Sequence, residues 1–264
     1  MMSKDRQELL KVALIQINSV WHQPEKNRIL LSQEINKIGA KADLVLLPEM
    51  FSTGFSMAPK KLAETMEGQT VQWMRSLAKE FNTVIAGSVI IKEEGFFFNR
   101  FLWVPPKDAI AYYDKRHGFS LVGEDLKYKA GENPGLVDYK GWKICLRICY
   151  DLRFPVWCRN TEEYDILLFV ANWPKPRMQA WDTLLKARAI ENMAYCCGVN
   201  IVGEDPKGNQ YLGHSAGYDC FGNRLTGPLS EKKQTIWAPL DYQALQAHRK
   251  QFQFLEDRDN FELR

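Results

Sequence analysis

The sequence carries almost no surplus of charge: 35 Lys and Arg against 32 Asp and Glu leave a net +3. It contains no Lys/Arg run and no interleaving of basic with aromatic residues, so nucleic acid is set aside as a partner. No apolar run is long enough to span a bilayer, and no membrane partner is expected. The N-terminus, Met1-Met2-Ser3-Lys4-Asp5-Arg6, enters a short apolar strand without a signal-peptide core or cleavage site, so the expected compartment is the cytoplasm. The cysteines, Cys145, Cys149, Cys158, Cys196, Cys197 and Cys220, show neither disulfide-scaffold spacing nor a Cys-x-x-Cys pair, which argues against a zinc site. No internal repeat, low-complexity stretch or linker divides the 264 residues. One domain over 8–245 is therefore expected, followed by a C-terminal tail over 246–264.

What remains is an ordinary globular composition, 45% hydrophobic and 25% charged, sufficient for one large α/β core. The run 11–17 reads as a first strand, and Pro24 opens a helix with Leu31, Ile35 and Ile38 on one stripe. The next run, 43–47, has no alternation and predicts an inner strand covered on both faces. A helix over about 70–81 precedes a hairpin over 83–104, and a strand over 109–113 follows. The run 142–148 reads as a buried strand, as does 166–170. Pro174 and Pro176 introduce a helix through about Met193, and three further strands are expected over 194–203, 215–220 and 234–240. Helices alternating with strands, then hairpins, suggest layered sheets with helices outside. The tail mixes Phe252, Phe254 and Phe261 with many charges, a pattern suited to contact with a second copy.

Three reactive side chains stand directly after hydrophobic strands: Glu49 after 44–47, Lys115 after 110–113 and Cys149 after 144–148. Nucleophiles of α/β hydrolytic enzymes occupy such strand-end turns. If the three strands are neighbours in one sheet, the side chains converge at one edge. A carboxylate, an ammonium and a thiol suffice there for acyl transfer: acid as proton acceptor, thiolate as nucleophile, ammonium facing the oxygen that becomes negative. Each residue alone also has a plain structural reading, as a loop charge, a solvent-facing lysine or a core thiol. Periodicity does not show that the strands are adjacent.

Leu47-Pro48-Glu49-Met50-Phe51, Tyr113-Asp114-Lys115-Arg116-His117 and Cys149-Tyr150-Asp151-Leu152-Arg153-Phe154-Pro155 resemble, in order and separation, the three signature segments of the nitrilase superfamily, the carbon–nitrogen hydrolases. The resemblance covers nearly the whole chain. It implies an α/β fold, a four-layer α-β-β-α sandwich, usually paired into a homodimer with help from the tail. It also implies that Glu49 is the general base, Cys149 the nucleophile and Lys115 the oxyanion partner. The Tyr150 backbone N–H would be a second donor, and Glu124 would hold Lys115 or the substrate amide. The thiolate is expected to be favoured near neutrality by Glu49 or Lys115. No metal and no cofactor are implied. Gly118 and Val156 depart from the common pattern, which bears on pocket shape. His117 is read as structural, with a Cys–His base as the competing role.

Asn172-Trp173-Pro174-x-Pro176-Arg177, Trp181-x-x-Leu184-Leu185-Lys186-Ala187-Arg188-Ala189-Ile190-Glu191-Asn192 and the segment 149–157 look like the ω-amidase branch. Ile201 is off its pattern. That branch hydrolyses the side-chain amide of 2-oxoglutaramate and 2-oxosuccinamate, a small-molecule amide substrate, to the 2-oxo acid and ammonia. Carbamoylases, nitrilases and other aliphatic amidases share the triad, and a non-catalytic metabolite-binding protein on the same fold is the alternative from a different class. A 2-oxo acid brings a carboxylate, for which Lys175, Arg177 and Arg153 are candidates, while Phe55, Asn172 and Trp173 are candidate pocket walls.

Overall fold

A strand that is apolar on both sides needs cover on both sides, and the runs around 44–47 and 166–170 receive it. The computed structural model describes residues 6–262. Strand β1 (Leu9–Gln16) is followed by helix α1 (Pro24–Ile38) and β2 (Leu44–Leu46). Helices α2 (Pro59–Leu62) and α3 (Gln69–Phe81) lead to the hairpin of β3 (Val84–Glu93) and β4 (Phe96–Val104), and then to β5 (Ala111–Asp114). Next come β6 (Leu136–Tyr139), β7 (Trp142–Ile148), α4 (Pro155–Cys158), β8 (Ile166–Val170), α5 (Met178–Glu191) and β9 (Tyr195–Val199). The chain continues through β10 (Val202–Glu204), β11 (Gln210–Leu212), β12 (Ala216–Tyr218), β13 (Gln234–Asp241) and α6 (Tyr242–Phe252).

One sheet has six strands in the order β13-β1-β2-β3-β4-β5, and a second has five in the order β12-β9-β8-β7-β6. Alternation within each inner strand decides which layer a side chain joins. Leu44 and Leu46 meet Ile144, Leu146 and Ile148 of β7 and Ile166, Leu168 and Val170 of β8 between the sheets. Val45 and Leu47 face outward, into one cluster with Leu31 and Ile35 of α1 and Val71 and Met74 of α3. Leu167 and Phe169 likewise share a cluster with Trp181, Leu185 and Ala189 of α5. The layers are α-β-β-α, as expected. Each fully buried Leu, Ile or Phe contributes about 1.5–3 kcal/mol, so these clusters hold the helices more firmly than local propensity does.

The structure corrects two expectations. The strands before Glu49, Lys115 and Cys149 do not share a sheet: β2 and β5 belong to the six-stranded one, three places apart, and β7 to the five-stranded one. The strand expected over 194–203 breaks at Asn200, whose buried side chain bonds the main chain of Trp173 and Gly213 instead of continuing a ladder. The boundary expected at residue 246 falls within helix α6. That helix is capped by Asp241, with Leu245 fully buried and Arg249 bonded to Asp165, Tyr164 and Met193. Among the described residues, no helix is long and apolar enough to cross a membrane.

Candidate active site

Packing the sheets face to face brings the ends of β2, β5 and β7 together. Glu49 lies just past β2, where Pro48 stops the strand and Met50 turns the chain at φ 43°. Its carboxylate is wholly buried, a costly position without partners. It has them: Oε1 accepts from Lys115 Nζ and from Asn99 Nδ2, both at 2.9 Å, and Oε2 accepts the Asn172 backbone N–H at 2.9 Å. Lys115 follows β5 directly, and its Nζ also donates to both oxygens of Glu124, at 3.0 and 2.8 Å. Glu124 is held by the Phe119 N–H at 2.7 Å and by Asn99 Nδ2 at 3.2 Å. It lies off the wall of the adjoining cavity, which favours holding Lys115 over touching a substrate amide.

Cys149 opens a short helical turn, Cys149–Arg153, straight from the end of β7. It is the partly exposed cysteine, the other five being buried. Its φ of 45° is left-handed, costing roughly 1–2 kcal/mol for a residue with a Cβ. Buried Asp151 holds this turn. Oδ2 accepts the Ile148 N–H at 3.0 Å and the Tyr113 hydroxyl at 2.8 Å, and Oδ1 accepts the His117 N–H at 3.1 Å and its ring Nδ1 at 2.8 Å. His117 also stacks on Phe154, ring centroids 3.6 Å apart. It braces the link between the two sheets through Asp151. The Tyr150 N–H sits in the first turn of this helix, where no intrahelical carbonyl reaches it.

The electrostatics differ from the expectation of a ready-made thiolate. The Cys149 thiol is pushed well above the ordinary thiol range, first by burial and then by the Glu49 charge, with Lys115 pulling the other way. The resting cysteine is a thiol. Burial also disfavours the Lys115 ammonium, but the charges of Glu124 and Glu49 outweigh it and hold it protonated. Glu124 is raised by burial despite Lys115.

A cavity of about 470 Å³ opens onto this cluster. Glu49, Lys115, Cys149, Tyr150 and Asn172 line it, with Phe55, Trp173 and Arg177 of the expected wall residues, and Arg153. Lys115 Nζ lies 5.4 Å from the centroid of the Phe55 ring. Trp173 is almost entirely buried and fixed by a 2.7 Å bond from Nε1 to the Arg177 carbonyl. Asn172 donates from Nδ2 to the Glu49 carbonyl at 2.6 Å, which fixes the amide orientation. Its buried Oδ1 has no partner among the described residues. Lys175 is not on the wall: in the tight turn Lys175–Arg177, residues two apart face different ways, and its Nζ donates to Gln210 at 2.9 Å. A Cβ on Gly118 would stand 2.8 Å from the Asp125 backbone nitrogen, so a leucine there has no room unless the loop moves. Val156 lies half-exposed on α4. The sequence reading missed Asn99, which binds both carboxylates. Its signal was a polar residue in an aromatic strand, 96–103. The wall residue Tyr211, from the hairpin of β10 and β11, gave no such signal. Among the described residues no group of three His, Cys, Asp or Glu could hold a metal ion.

The carbon–nitrogen hydrolase family model matches residues 11–250. The chain belongs to the carbon–nitrogen hydrolase family. This hydrolase of carbon–nitrogen bonds is 42% identical over 256 residues to omega-amidase YafV of Escherichia coli, covering 96% of this chain and 98% of that one. It is 32% identical over 238 residues to 2-oxoglutaramate amidase of Bacillus subtilis, covering 88% and 91%. A CN-hydrolase superfamily protein from Xanthomonas campestris, solved with an arsenic adduct in its active site, superposes with a TM-score of 0.94 at 42% identity, covering 98% of this chain and 100% of the other. The carbon–nitrogen hydrolase described here thus has the nitrilase-superfamily sandwich.

Proposed function

We propose that this hydrolase is an ω-amidase, releasing ammonia from the side-chain amide of short 2-oxo dicarboxylic acid monoamides such as 2-oxoglutaramate and 2-oxosuccinamate. The observation that carries the chemistry is that Cys149, Glu49 and Lys115 line one cavity, with the Lys115 ammonium bonded to the buried carboxylates of Glu49 and Glu124. The names of the relatives that align over nearly the full length support the substrate class.

In this reading Glu49 takes the thiol proton as Sγ bonds to the amide carbon, and the carbonyl oxygen becomes an oxyanion facing the Lys115 ammonium and the Tyr150 N–H. A neutral thiol that ionises only on attack suits a buried site, because no free thiolate is stored there. The Asn172 Oδ1 accepts an N–H of the amide, the partner it otherwise lacks. Glu49 returns its proton to the nitrogen, the carbon–nitrogen bond breaks and ammonia leaves a thioester on Cys149. Glu49 then takes a proton from water, the hydroxyl attacks the thioester carbon, and the acid departs as the thiol regains the proton. Glu124 anchors Lys115 throughout. The exposed Phe254 and Phe261 beyond α6 would contact a second copy.

The test is ammonia release from 2-oxoglutaramate, 2-oxosuccinamate, glutamine, an aliphatic nitrile and a carbamoyl amino acid, side by side. Preference for the two 2-oxo amides is expected, with none of it left in Cys149→Ala. Preference for the carbamoyl compound would overturn the ω-amide assignment and leave the thiol chemistry standing.

A further inference from the structure

We infer that Arg153 and Arg177 form a carboxylate receptor in the wall of the catalytic cavity, which makes the enzyme select ω-amides with an acidic far end over neutral amides of the same length. The inference rests on the ω-amide reading above and names the residues that set its specificity.

Sorting the charged groups on the wall by what they already bind leaves three cations unspent, these two and the exposed Lys207. Glu49 is bonded to Lys115, Asn99 and Asn172. Asp205 is absorbed by its own turn, accepting the N–H groups of Lys207 and Asn209 at 2.9 and 3.0 Å, the Asn209 side-chain amide at 2.8 Å and the Tyr211 hydroxyl at 3.2 Å. Lys115 is committed to its two glutamates. Neither Arg153 nor Arg177 forms an ion pair among the described residues. Arg100, Arg188 and Arg249, elsewhere in the fold, are each paired with an acid. Lys207, on the exposed hairpin turn, adds to the positive field of the same wall.

Both guanidiniums are also pre-positioned. Arg153 lies over the Trp173 ring, 5.1 Å from its centroid, and Arg177 over the Phe119 ring at 4.9 Å. Stacking restrains the side chain and leaves in-plane N–H groups free for a carboxylate, so less freedom is lost when an anion binds. The two supporting rings stand beside the reaction centre. Trp173 follows Asn172, which holds Glu49. Phe119 packs on Tyr150, next to the nucleophile, at 4.9 Å. In a cavity of about 470 Å³, a short linear amide with its carbonyl at Cys149 brings its other end to these walls. Paired arginines favour a planar, bidentate anion, which is what a 2-oxo carboxylate presents.

The experiment compares kcat/KM for 2-oxoglutaramate with that for pentanamide, a neutral amide of equal chain length, in the wild type, Arg153→Gln, Arg177→Gln and the double variant. The wild type is expected to prefer the acid, and each substitution to lower the ratio of the two values roughly 10- to 100-fold, through KM more than kcat. Arg177→Lys should recover part of the ratio, since it keeps the charge and loses the fork. A double variant whose ratio stays within about threefold of wild type overturns the clamp, as does a wild type that prefers pentanamide. Should a variant fold poorly, the wild type decides alone: glutarate must compete with the substrate, and more weakly as salt rises. Glutarate without effect overturns the clamp. A wild type inert toward both amides overturns the ω-amide reading itself, and the clamp with it.

Discussion

Replacing Asp151 by Asn tests whether Cys149, the proposed nucleophile, is held by the network described or merely happens to sit beside it. The change is nearly isosteric and leaves the side chains of Glu49, Lys115, Glu124 and Cys149 unaltered. Asp151 accepts four bonds, two on each oxygen. The Tyr113 hydroxyl already accepts from the Arg116 N–H and from Trp157 Nε1. The His117 ring can reverse its role and accept from an amide, but main-chain N–H groups cannot. Whichever way the new side chain turns, its –NH2 confronts one of them, that of Ile148 or that of His117. A stranded buried donor costs about 1–3 kcal/mol, and the bonds that survive lose their charge-assisted part, so about 2–4 kcal/mol of stability should go. A protein of ordinary stability, about 5–15 kcal/mol, stays folded after that loss. The left-handed Cys149 is then free to relax, and a displacement on the order of 1 Å should lower kcat about 100-fold. Urea unfolding gives the first quantity, and turnover of the best amide gives the second. Unfolding free energy within about 0.5 kcal/mol of wild type, together with kcat within about threefold, would refute the reasoning.

Two further outcomes follow from buried thiols. Because the Glu49 charge is one cause of the raised Cys149 pKa, Glu49→Gln should shift the pH midpoint of iodoacetamide alkylation downward while abolishing hydrolysis; a midpoint that stays or rises contradicts the assignment. Burial lifts Cys145 and Cys220 to about 11, Cys158 and Cys197 to about 12, and Cys149 and Cys196 well above the ordinary range, so the folded chain keeps six protons that an unfolded chain sheds above the ordinary thiol pKa of about 8.5. Their contribution is fully present below about pH 8.5, and stability should fall by up to about 8 kcal/mol per pH unit between there and about 11. Urea midpoints measured from pH 8 to 10 check the slope, and a flat profile rules it out.

The positions of Glu49, Lys115 and Cys149 were legible because each ends an apolar run, and run length is written in the chain. Their meeting place was not. Runs 44–46, 111–114 and 144–148 look alike, yet β2 pairs with β1 and β3, β5 with β4, and β7 with β6 and β8. Partner choice in sheets depends on contacts far apart in sequence. The direction of the thiol shift was equally hidden, because it arises from burial and from a neighbour 100 positions away in the numbering, Glu49 against Cys149. Cys149 has no propensity for a left-handed turn, so only Asp151 and its donors explain that conformation. Asn99 could have been found, as the one amide in an aromatic strand. Lys175 and Arg177 differ only in which side of a tight turn they occupy, a distinction composition does not carry.

With Cys149, the proposed nucleophile, mounted on one sheet and Glu49 and Lys115 on the other, the candidate site acts as a caliper across the sandwich. Turnover then reports the spacing of the two layers. Shaving a leucine such as Leu46 or Leu146, which fills that gap without reaching the cavity, lets the jaws slip. Catalysis should fade under mild heat or such distant trimming while the bulk of the molecule still holds its shape.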